Sequence, residues 1–350
     1  MPFITPPAPG SVRRLPAEFE PRGAVYTARP KRKKSWPGCL NEARQQFAYF
    51  TDALREVVPV VLIDEDLQIN PADIWLRDTG PVWVEESTGT QTRLVLHDFG
   101  FNNWGALYPG WEPDDQVPRQ LAAALGQPRT QHDMILEGGA IESNGQGTLI
   151  VTLSCLVDER RNPGKDQAAI TDALKLAFGL DHVLWLKDGL TGDETGGHVD
   201  NITRYLNPNT VVNTSAKPGH PDHAQCACNK TILESARLNV IDLPLPDEPV
   251  RYRYPQNPKN SDGLTGTQTL TASYANFLVA NGVCFLPTFN QPASDQRAAS
   301  IIKEASGWDI ISIPSHYLLV GGGNLHCLTK DAPPPEATPP EAPALGSGSH

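Results

Sequence analysis

The chain has 350 residues, with 29 Lys and Arg against 40 Asp and Glu, which gives a formal net charge of −11. This acidic balance argues against nucleic acid or an anionic membrane as the main partner and is compatible with a cationic ligand. No run of residues approaches the roughly 20 apolar positions that a membrane span needs. The N-terminal segment also has no apolar stretch typical of a secretory signal. The six cysteines are too sparse for a disulfide scaffold, so a reducing, cytoplasmic setting is expected.

Short apolar runs alternate with amphipathic helical patterns along most of the chain. β-Branched and apolar runs predict strands at 57–64, 80–86, 92–99, 147–154, 182–187, 210–215, 282–289 and 310–315. Apolar residues spaced by three and four predict helices at 40–57, 114–126, 165–179 and 294–305. The alternation of the two element types predicts an α/β fold.

The two ends of the chain are rich in proline. Residues 1–15 are expected to be irregular, and residues 331–350 are interpreted as a proline-rich tail that ends like a remnant of cloning. Residues 16–330 are expected to form a single domain.

A cysteine near the C-terminal end lies in the sequence GGGNLHCLT. The glycines before Cys327 allow the main chain to come close to a small ligand. A thiol held in such a segment is a candidate nucleophile if its surroundings make it a thiolate. A small buried cysteine without chemistry would fit the same segment, so the other segments of the chain decide between the two interpretations.

Three further segments place acids or an imidazole beside glycine. WLRDTGP carries Asp78, which the following turn should leave at a strand end, and ILEGGAIE carries Glu137 after an apolar run. DETGGHVDN carries His198 and Asp200, which would face the same side of an extended strand. Taken singly, each has an ordinary alternative: backbone capping for Asp78, a solvated turn for Glu137 and a structural role for His198.

The spacing of these segments suggests an internal repeat. Asp78, Glu137, His198 and Cys327 are separated by 59, 61 and 129 residues, which is about one, one and two units of roughly 60 residues. Five such units would fill the chain from about residue 15 to about residue 330, and each would contribute one loop to a shared centre.

A guanidinium group suits a site that combines carboxylates with a thiol. It is planar and cationic, and its N–H groups match carboxylate oxygens in bidentate pairs. Two aspartates could therefore orient its central carbon toward the sulfur. Zinc is the alternative, since Cys, His and Asp are all zinc ligands, but the spacings between these residues match no familiar zinc-binding motif. A separate group, His220, His223, Cys226 and Cys228, has metal-binding residue types in a non-standard spacing, and a variable surface loop is expected there.

The segments resemble those of the agmatine deiminases, within the guanidino-group-modifying superfamily that includes bacterial peptidylarginine deiminases. The resemblance rests on LPAEFEP, WLRDTGPVWV, FNNWGALYPGW, LEGGAIESNGQGTL, DETGGHVDN, TASYANF and GGGNLHCLT, in that order along residues 15–330. It implies a five-bladed, pseudo-symmetric α/β propeller of about 60-residue repeats around a central active site. It implies no metal and no organic cofactor, and it is compatible with a homo-oligomer.

The resemblance also implies a role for each catalytic candidate. Cys327 would attack the guanidino carbon, and His198 would protonate the departing ammonia and then activate water. Asp78 and Asp200 would bind the guanidinium nitrogens, and Glu137 would hold the other edge of the substrate or orient His198. A covalent thiouronium adduct would follow, and with agmatine the product would be N-carbamoylputrescine.

The chain departs from the family pattern in a segment that bears on the substrate tail. The family typically carries a Trp-Pro stretch after the opening segment, where this chain has Ala28-Arg29-Pro30. For the ammonium of agmatine, Glu194 offers charge and the tryptophans offer cation–π contact. Free or peptidyl arginine is the alternative substrate, whose carboxylate Arg204, Arg251 or Arg253 could bind. The expected substrate-binding residues are Trp75, Arg77, Trp104, Glu194, Gly322 and Gly323.

Two functions of other classes remain open from the residues themselves. A catalytically inert module could capture cationic ligands with the same acidic pocket, and a zinc hydrolase could use the same residue types. A thiol-specific alkylation test with and without agmatine would discriminate the first, and stoichiometric metal with sensitivity to chelators would identify the second.

Overall fold

The computed structural model describes residues 2–257, 259 and 261–334. Its strands are β1 (Ser11–Arg14), β2 (Ala24–Thr27), β3 (Val60–Leu62), β4 (Val82–Thr88), β5 (Gln91–Gly100), β6 (Arg129–Ile135), β7 (Ile141–Ser143), β8 (Thr148–Thr152), β9 (His182–Leu186), β10 (Thr203–Asn207), β11 (Thr210–Ser215), β12 (Asn239–Pro244), β13 (Arg251–Tyr254), β14 (Gly266–Thr269), β15 (Leu278–Ala280), β16 (Val283–Thr288), β17 (Asp309–Pro314) and β18 (Lys330–Ala332).

The helices differ in length. The longer ones are α1 (Leu40–Arg55), α6 (Val117–Leu125), α8 (Gln167–Phe178), α9 (His223–Ser235) and α10 (Pro292–Ser306), and the four-residue ones are α2 (Ile63–Asp66), α3 (Leu76–Thr79), α4 (Asn103–Ala106), α5 (Glu112–Asp115) and α7 (Leu153–Leu156). In the described ranges, no helix is long and apolar enough to cross a membrane.

Five of the six sheets in the described chain repeat one strand arrangement. In each, an antiparallel pair is followed by a parallel pair, in the orders β18-β2-β3, β4-β5-β6, β7-β8-β9, β10-β11-β12 and β15-β16-β17. The strand β1 extends the second of these sheets along β4, and β13 and β14 form a separate hairpin.

Each parallel pair is joined through one long helix, as a parallel connection requires. The helices α1, α6, α8, α9 and α10 make these five crossovers in chain order. They also bridge neighbouring sheets, since α9 contacts β9 as well as β11 and β12, and α10 contacts β12 as well as β17. The α/β class predicted from alternating patterns is therefore confirmed.

Helix α1 shows how the sequence builds this packing. Its buried residues Ala43, Phe47, Phe50 and Leu54 recur at intervals of three and four, which places them on one face. Phe50 meets Phe285 of β16 edge-on, with ring centroids 5.9 Å apart. A buried aromatic pair of this geometry stabilises the fold beyond the area that it buries, by about 1 kcal/mol.

Three expectations for the chain need correction. Residues 11–14 are strand β1 and not irregular, because β1 pairs with β4 and buries Arg13 against Glu86, with Nε 2.9 Å from Oε1. The segment with His220, His223, Cys226 and Cys228 was expected to be a surface loop, but from His223 onward it is helix α9. The expected tail from residue 331 begins inside β18, which pairs with β2, and its residues from 335 onward lie outside the described ranges.

Candidate active site

Segments distant in sequence meet around Gly139. A Cβ atom on this glycine would lie 2.5 Å from Nδ1 of His198, 2.8 Å from Oδ1 of Asp78 and 3.0 Å from Oδ2 of Asp200. The Sγ atom of Cys327 lies 3.7 Å from the same Asp200 oxygen. The structure therefore brings together the thiol, the imidazole and both aspartates of the expected site.

Asp78 is fixed by two hydrogen bonds to its carboxylate. The backbone N–H of Gly139 donates to Oδ1 at 3.0 Å, and the indole N–H of Trp104 donates to Oδ2 at 2.9 Å. The sequence predicted a strand end here, but Asp78 lies in the helical turn α3 just before β4. Burial and the nearby Asp200 charge raise the pKa of Asp78 above its usual range.

Trp104 reaches Asp78 from a left-handed turn. Four consecutive residues of α4 have positive φ angles: Asn103 at 59°, Trp104 at 53°, Gly105 at 86° and Ala106 at 62°. This conformation costs a non-glycine residue about 1–2 kcal/mol. The backbone strain is thus concentrated where an indole is aimed at a catalytic carboxylate.

His198 is completely buried, and its ring is held by the shape of its pocket. Its Nδ1 lies 3.6 Å from Oδ1 of Asp78, and neither ring nitrogen has a hydrogen-bond partner among the described residues. Burial alone would lower the pKa of His198, but the Asp78 carboxylate and other neighbours raise it well above its usual range. A protonated His198 with free N–H groups can donate a proton to a leaving group.

The extended strand expected at His198 is absent, because residues Val199–Asn201 form a 3-10 turn. The turn nevertheless brings Asp200 to the same point as His198. The imidazole of His326 shares a hydrogen bond of 2.8 Å with Oδ2 of Asp200. Although burial opposes ionisation, His326 lowers the pKa of Asp200 below its usual range.

Cys327 is held by the amide of Asn276. The Nδ2 atom of Asn276 donates to Sγ at 3.1 Å, and its Oδ1 accepts the backbone N–H of Cys327 at 3.3 Å. Burial, together with the charges of Asp200 and Asp78, raises the pKa of Cys327 well above its usual range. The thiol is therefore protonated at neutral pH when these two carboxylates have no cation between them.

Glu137 lies behind His198 and not on the cavity wall. It is fully buried, and Nε of Arg161 donates to both of its carboxylate oxygens at 2.9 and 3.0 Å. Glu137, Cys155 and His198 have potential ligand atoms within 4.8 Å of one another. A metal ion there would have to compete with the Arg161 guanidinium for Glu137. This position fits a role in orienting and charging His198.

A cavity of about 280 Å³ opens above Cys327, a volume that suits a small molecule. Its wall includes five of the six expected substrate-binding residues and the nucleophile: Trp75, Trp104, Glu194, Gly322, Gly323 and Cys327. Gly323 has no room for a side chain, since a Cβ atom would lie 2.7 Å from the Trp75 ring and 2.8 Å from Cβ of Cys327. Glu194 accepts a hydrogen bond of 2.7 Å from the hydroxyl of Tyr108.

One expected substrate-binding residue lies elsewhere, and the group with metal-binding residue types forms no site. Arg77 is buried away from the cavity, where it binds Asp331 at 2.7 Å and approaches Glu18 at 3.5 Å, so it supports the fold and does not face the cavity. The His220, His223, Cys226 and Cys228 group does not converge on one point among the described residues. It does not converge because helix α9 starts at His223 and turns Cys226 toward Thr214 in the core.

Four residues of the site were not found from the sequence: Glu18, Arg161, Asn276 and His326. Glu18 and Asn276 lie in the segments LPAEFEP and TASYANF, which carry the family resemblance, and His326 precedes the nucleophile. Their places in these segments are the features from which a role in the site could have been predicted. Arg161 has no comparable signal, because nothing in its local sequence indicates that it neutralises Glu137.

Fold and site together define a class of protein: a mixed α/β protein with a buried thiol, imidazole and carboxylate centre beneath a cavity for a small cation. The sequence profile of the Porphyromonas-type peptidyl-arginine deiminases matches residues 14–333. The chain therefore belongs to this family.

Relatives within this family are named agmatine deiminases. The agmatine deiminase of Pseudomonas aeruginosa strain LESB58 is 32% identical, over 95% of this chain and 98% of its own. The structure of the Enterococcus faecalis agmatine deiminase catalysing its reaction matches with a TM-score of 0.83 and 26% identity, covering 95% of this chain and 100% of that one. The C. jejuni agmatine deiminase with substrate bound matches with a TM-score of 0.82 and 25% identity, covering 93% and 98%.

Proposed function

We propose that this protein is an agmatine deiminase, which hydrolyses the guanidino group of agmatine to N-carbamoylputrescine and ammonia. The observation that carries the proposal is the convergence of Cys327, His198, Asp78 and Asp200 beneath a cavity that has Glu194 on its wall. The names and substrates of the relatives support the same activity. The reaction takes place in the cytoplasm, where a reducing environment keeps the Cys327 thiol free.

The fold proposed for this activity is a five-bladed α/β propeller. The five sheets with the same strand order, each completed by one crossover helix, support it. In such an arrangement every blade offers one inner loop to the centre, and the loops carrying Asp78, Glu137, His198 and Cys327 belong to different blades. This explains why these residues are spaced by about 60 residues or multiples of it.

The guanidinium group is bound between Asp78 and Asp200. Oδ1 of Asp200 is buried and has no hydrogen-bond partner in the described chain, so it can accept an N–H of the substrate. A carboxylate paired with a guanidinium forms strong, charge-assisted hydrogen bonds. The substrate thus supplies the partner that this oxygen lacks.

Binding also prepares the nucleophile. The charges of Asp200 and Asp78 contribute to the raised pKa of Cys327, and a guanidinium between them offsets both charges. The pKa of the thiol then falls, its proton passes to solvent, and a thiolate forms beside the carbon that it attacks. The active form of Cys327 therefore depends on the substrate, which limits the reaction of the thiol with other electrophiles.

The chemical steps use one thiol and one imidazole. The Cys327 thiolate forms a C–S bond to the guanidino carbon, and a C–N bond breaks as His198 gives its proton to the departing ammonia. The thiouronium adduct remains on the sulfur. Neutral His198 then takes a proton from water as the water oxygen bonds to the carbon. The C–S bond breaks as the hydroxyl group of the adduct loses its proton to solvent, which returns the thiolate and releases the ureido product. In solution this proton converts the ammonia released earlier to ammonium.

Glu194 gives the site its preference for the ammonium tail of agmatine. It lies on the cavity wall with its carboxylate bonded to Tyr108, among aromatic residues that favour cations. Arg204, which could have received the carboxylate of arginine, is buried and bound to Glu18 and Glu142. Arg251 and Arg253 do not line this cavity. Two cations, Arg32 and Lys34, do line the cavity, but Arg32 is paired with Asp262 and five acidic residues share the wall. The site therefore favours a cationic tail over a carboxylate.

The test compares kcat/KM for agmatine, L-arginine and a blocked arginine peptide on the wild-type protein. Agmatine is expected to exceed both others by at least about 100-fold, since a buried polar group left unpaired by the wrong tail costs about 1–3 kcal/mol or more. Cys327→Ala should have no turnover. Higher kcat/KM for either arginine substrate would overturn the assignment to agmatine.

A second comparison isolates the tail. Glu194→Gln should lower kcat/KM for agmatine by about 10- to 100-fold, because the ammonium loses its charged partner. The same variant should process n-butylguanidine, which has no ammonium, as the wild type does. Equal losses for both substrates would show that Glu194 does not contact the tail.

A further inference from the structure

A chain of three buried groups lies behind the nucleophile. Nε2 of His326 is 2.6 Å from Oε2 of Glu18, and its Nδ1 is 2.8 Å from Oδ2 of Asp200. His326 is 1% exposed and Asp200 is 0% exposed, so water does not compete for these bonds. The chain thus connects a residue near the start of the protein to a carboxylate beside Cys327.

Both ring nitrogens of His326 face carboxylates. An ionised carboxylate can only accept, so each ring nitrogen that faces one must carry a proton. Glu18 is ionised because Arg204 lies 2.7 Å from its Oε1 and Arg77 lies 3.5 Å from its Oε2, and the pKa of Glu18 is well below its usual range although burial opposes this. A His326 ring placed between two ionised carboxylates donates one N–H to each of them.

Other charged groups face the His326 ring from the surrounding elements. The arginines are paired, Arg22 and Arg77 with Asp331 and Arg204 with Glu142, whereas Lys330 has no ion-pair partner among the described residues and burial lowers its pKa to about 7. Besides Glu18 and Asp200, the titratable or charged groups packed near the ring are Arg22, Arg77, Glu142, Arg204, Cys327, Lys330 and Asp331.

The consequence for Asp200 is both orientation and charge. Its Oδ2 is occupied by His326, and its buried Oδ1 has no hydrogen-bond partner among the described residues. Two carboxylates that share a site cannot both ionise easily, and one of them takes up a proton unless something prevents it. Asp78 accepts hydrogen bonds from Trp104 and Gly139 and has the His198 ring 3.6 Å away, whereas Asp200 has His326 at a hydrogen-bond distance of 2.8 Å.

We propose that His326 is a positioning residue, held by Glu18, which keeps Asp200 ionised and turned toward the cavity so that it can receive the guanidinium of the substrate. This inference rests on the proposed function for its role in catalysis. The charge of Asp200 can also be read without any substrate, through the reactivity of Cys327.

The test uses two substitutions of His326 that resemble different ring nitrogens. The amide of His326→Asn can donate to Asp200 from near the position of Nδ1, while that of His326→Gln reaches the position of Nε2 beside Glu18. With agmatine, His326→Gln should lose about 10- to 100-fold in kcat/KM, mostly through KM, and the acid limb of its pH profile should move to higher pH. His326→Asn should lose less than about tenfold. Equal losses with an unchanged acid limb would overturn the proposal.

The second measurement is inactivation by iodoacetamide, without substrate, at a pH just below the displaced acid limb of His326→Gln, where Asp200 of the wild type is still ionised. If His326→Gln allows Asp200 to take up a proton, a negative charge beside Cys327 disappears and the thiol is alkylated faster than in the wild type. If Asp200 stays ionised, only the N–H donors of the His326 ring are lost, and alkylation is slower or unchanged. His326→Asn should not be faster than the wild type. Slower or unchanged alkylation of His326→Gln would overturn the proposal, even if agmatine proves not to be the substrate.

Two further variants, Glu18→Gln and Asp200→Asn, show whether the effect of His326→Gln arises from misfolding or from Asp200. Glu18→Gln keeps the shape of the side chain and should shift the acid limb in the same direction as His326→Gln, by a smaller amount. In the Asp200→Asn background, His326→Gln should add little further loss or acceleration, since both act through one carboxylate. Additive effects would show that His326 acts independently of Asp200.

Discussion

The site contains two buried histidines with opposite surroundings. His198 has neither ring nitrogen bonded within the described chain, whereas His326 has both nitrogens bonded to carboxylates. Both are nearly inaccessible to water, with 0% and 1% of their surface exposed. A histidine that transfers protons needs a free nitrogen, while one that fixes a charge needs both nitrogens engaged. The difference separates the reacting imidazole from the supporting one.

The supports of the two histidines follow a common plan. A carboxylate lies near each ring, and an arginine neutralises that carboxylate: Glu137 with Arg161 for His198, and Glu18 with Arg204 for His326. At His326 the carboxylate is hydrogen-bonded to the ring, but at His198 it is not. The Glu–Arg pair beside His198 therefore helps to raise the pKa of the ring without forming a hydrogen bond to it. The pair beside His326 holds its ring through a hydrogen bond.

The largest effect is expected when the free histidine is replaced. His198→Gln removes the proton donor for ammonia and the base for water, so kcat with agmatine should fall by about 100- to 10,000-fold. The measurement is steady-state ammonia release together with KM, which should change little. Retention of more than a tenth of the wild-type kcat would show that His198 is not the proton-transfer group.

The next effect concerns stability around His198. Arg161→Met leaves the buried Glu137 carboxylate without its cation and should lower the free energy of unfolding by about 3–5 kcal/mol. Urea unfolding followed by tryptophan fluorescence measures it. The neighbouring Arg160→Met is the matched control, because Arg160 is exposed and should change stability by less than about 0.5 kcal/mol. The double variant Glu137→Gln/Arg161→Met should recover part of the loss. A double variant as unstable as the sum of the single ones would contradict this pairing.

A smaller effect is expected in the reactivity of the thiol. Burial and the carboxylates hold the pKa of Cys327 well above its usual range. Asp200→Asn removes one negative charge, which lowers the thiol pKa and raises the thiolate fraction at pH 8. Alkylation by iodoacetamide should accelerate on the order of tenfold, since one pKa unit changes the thiolate fraction tenfold. Peptide mapping, with Cys327→Ala as background, confines the measurement to this cysteine. Slower alkylation would mean that Asp200 carries no charge in the wild type.

The smallest effect is expected at Trp104. Trp104→Phe removes the N–H donor to Asp78 and should lower kcat/KM for agmatine by about tenfold, the value of one hydrogen bond to a charged group, about 1.5 kcal/mol. Trp111→Phe is the matched control, since Trp111 lines the same cavity but lies in a different turn. Equal losses in the two variants would indicate that only aromatic contact matters.

The α/β class and most long elements could be predicted from the sequence because their periodicity is strong. Helix α1 at Leu40–Arg55 and strand β11 at Thr210–Ser215 match their predicted ranges closely. Strands of three residues, such as β7 and β15, are too short to show any alternation. Helix α9 was missed because its buried face combines Cys226 and Asn229 with Leu233, so its polar content hides the pattern.

Site residues could be predicted where a reactive side chain and glycine occur in the same segment. Cys327, Asp78 and His198 were found in this way, although the reason given for pairing His198 with Asp200 was an extended strand that does not exist. The hydrogen bond between Glu18 and His326 could not be predicted, because the two residues are 308 positions apart in sequence and only the folded structure brings them together. Arg77 was misplaced for a similar reason, since its partners Glu18 and Asp331 come from opposite ends of the chain.

Gly139 carries a consequence for how this protein can change during evolution. A Cβ at this position would lie 2.5 Å from His198 and within 3.0 Å of both aspartates. The constraint comes from occupied space and not from an unusual backbone angle. All other genetically encoded residues carry a Cβ, so no exchange at this codon, however conservative, leaves the three groups in place. A library that varies every position should therefore recover only glycine here, while the neighbouring surface tolerates many residues.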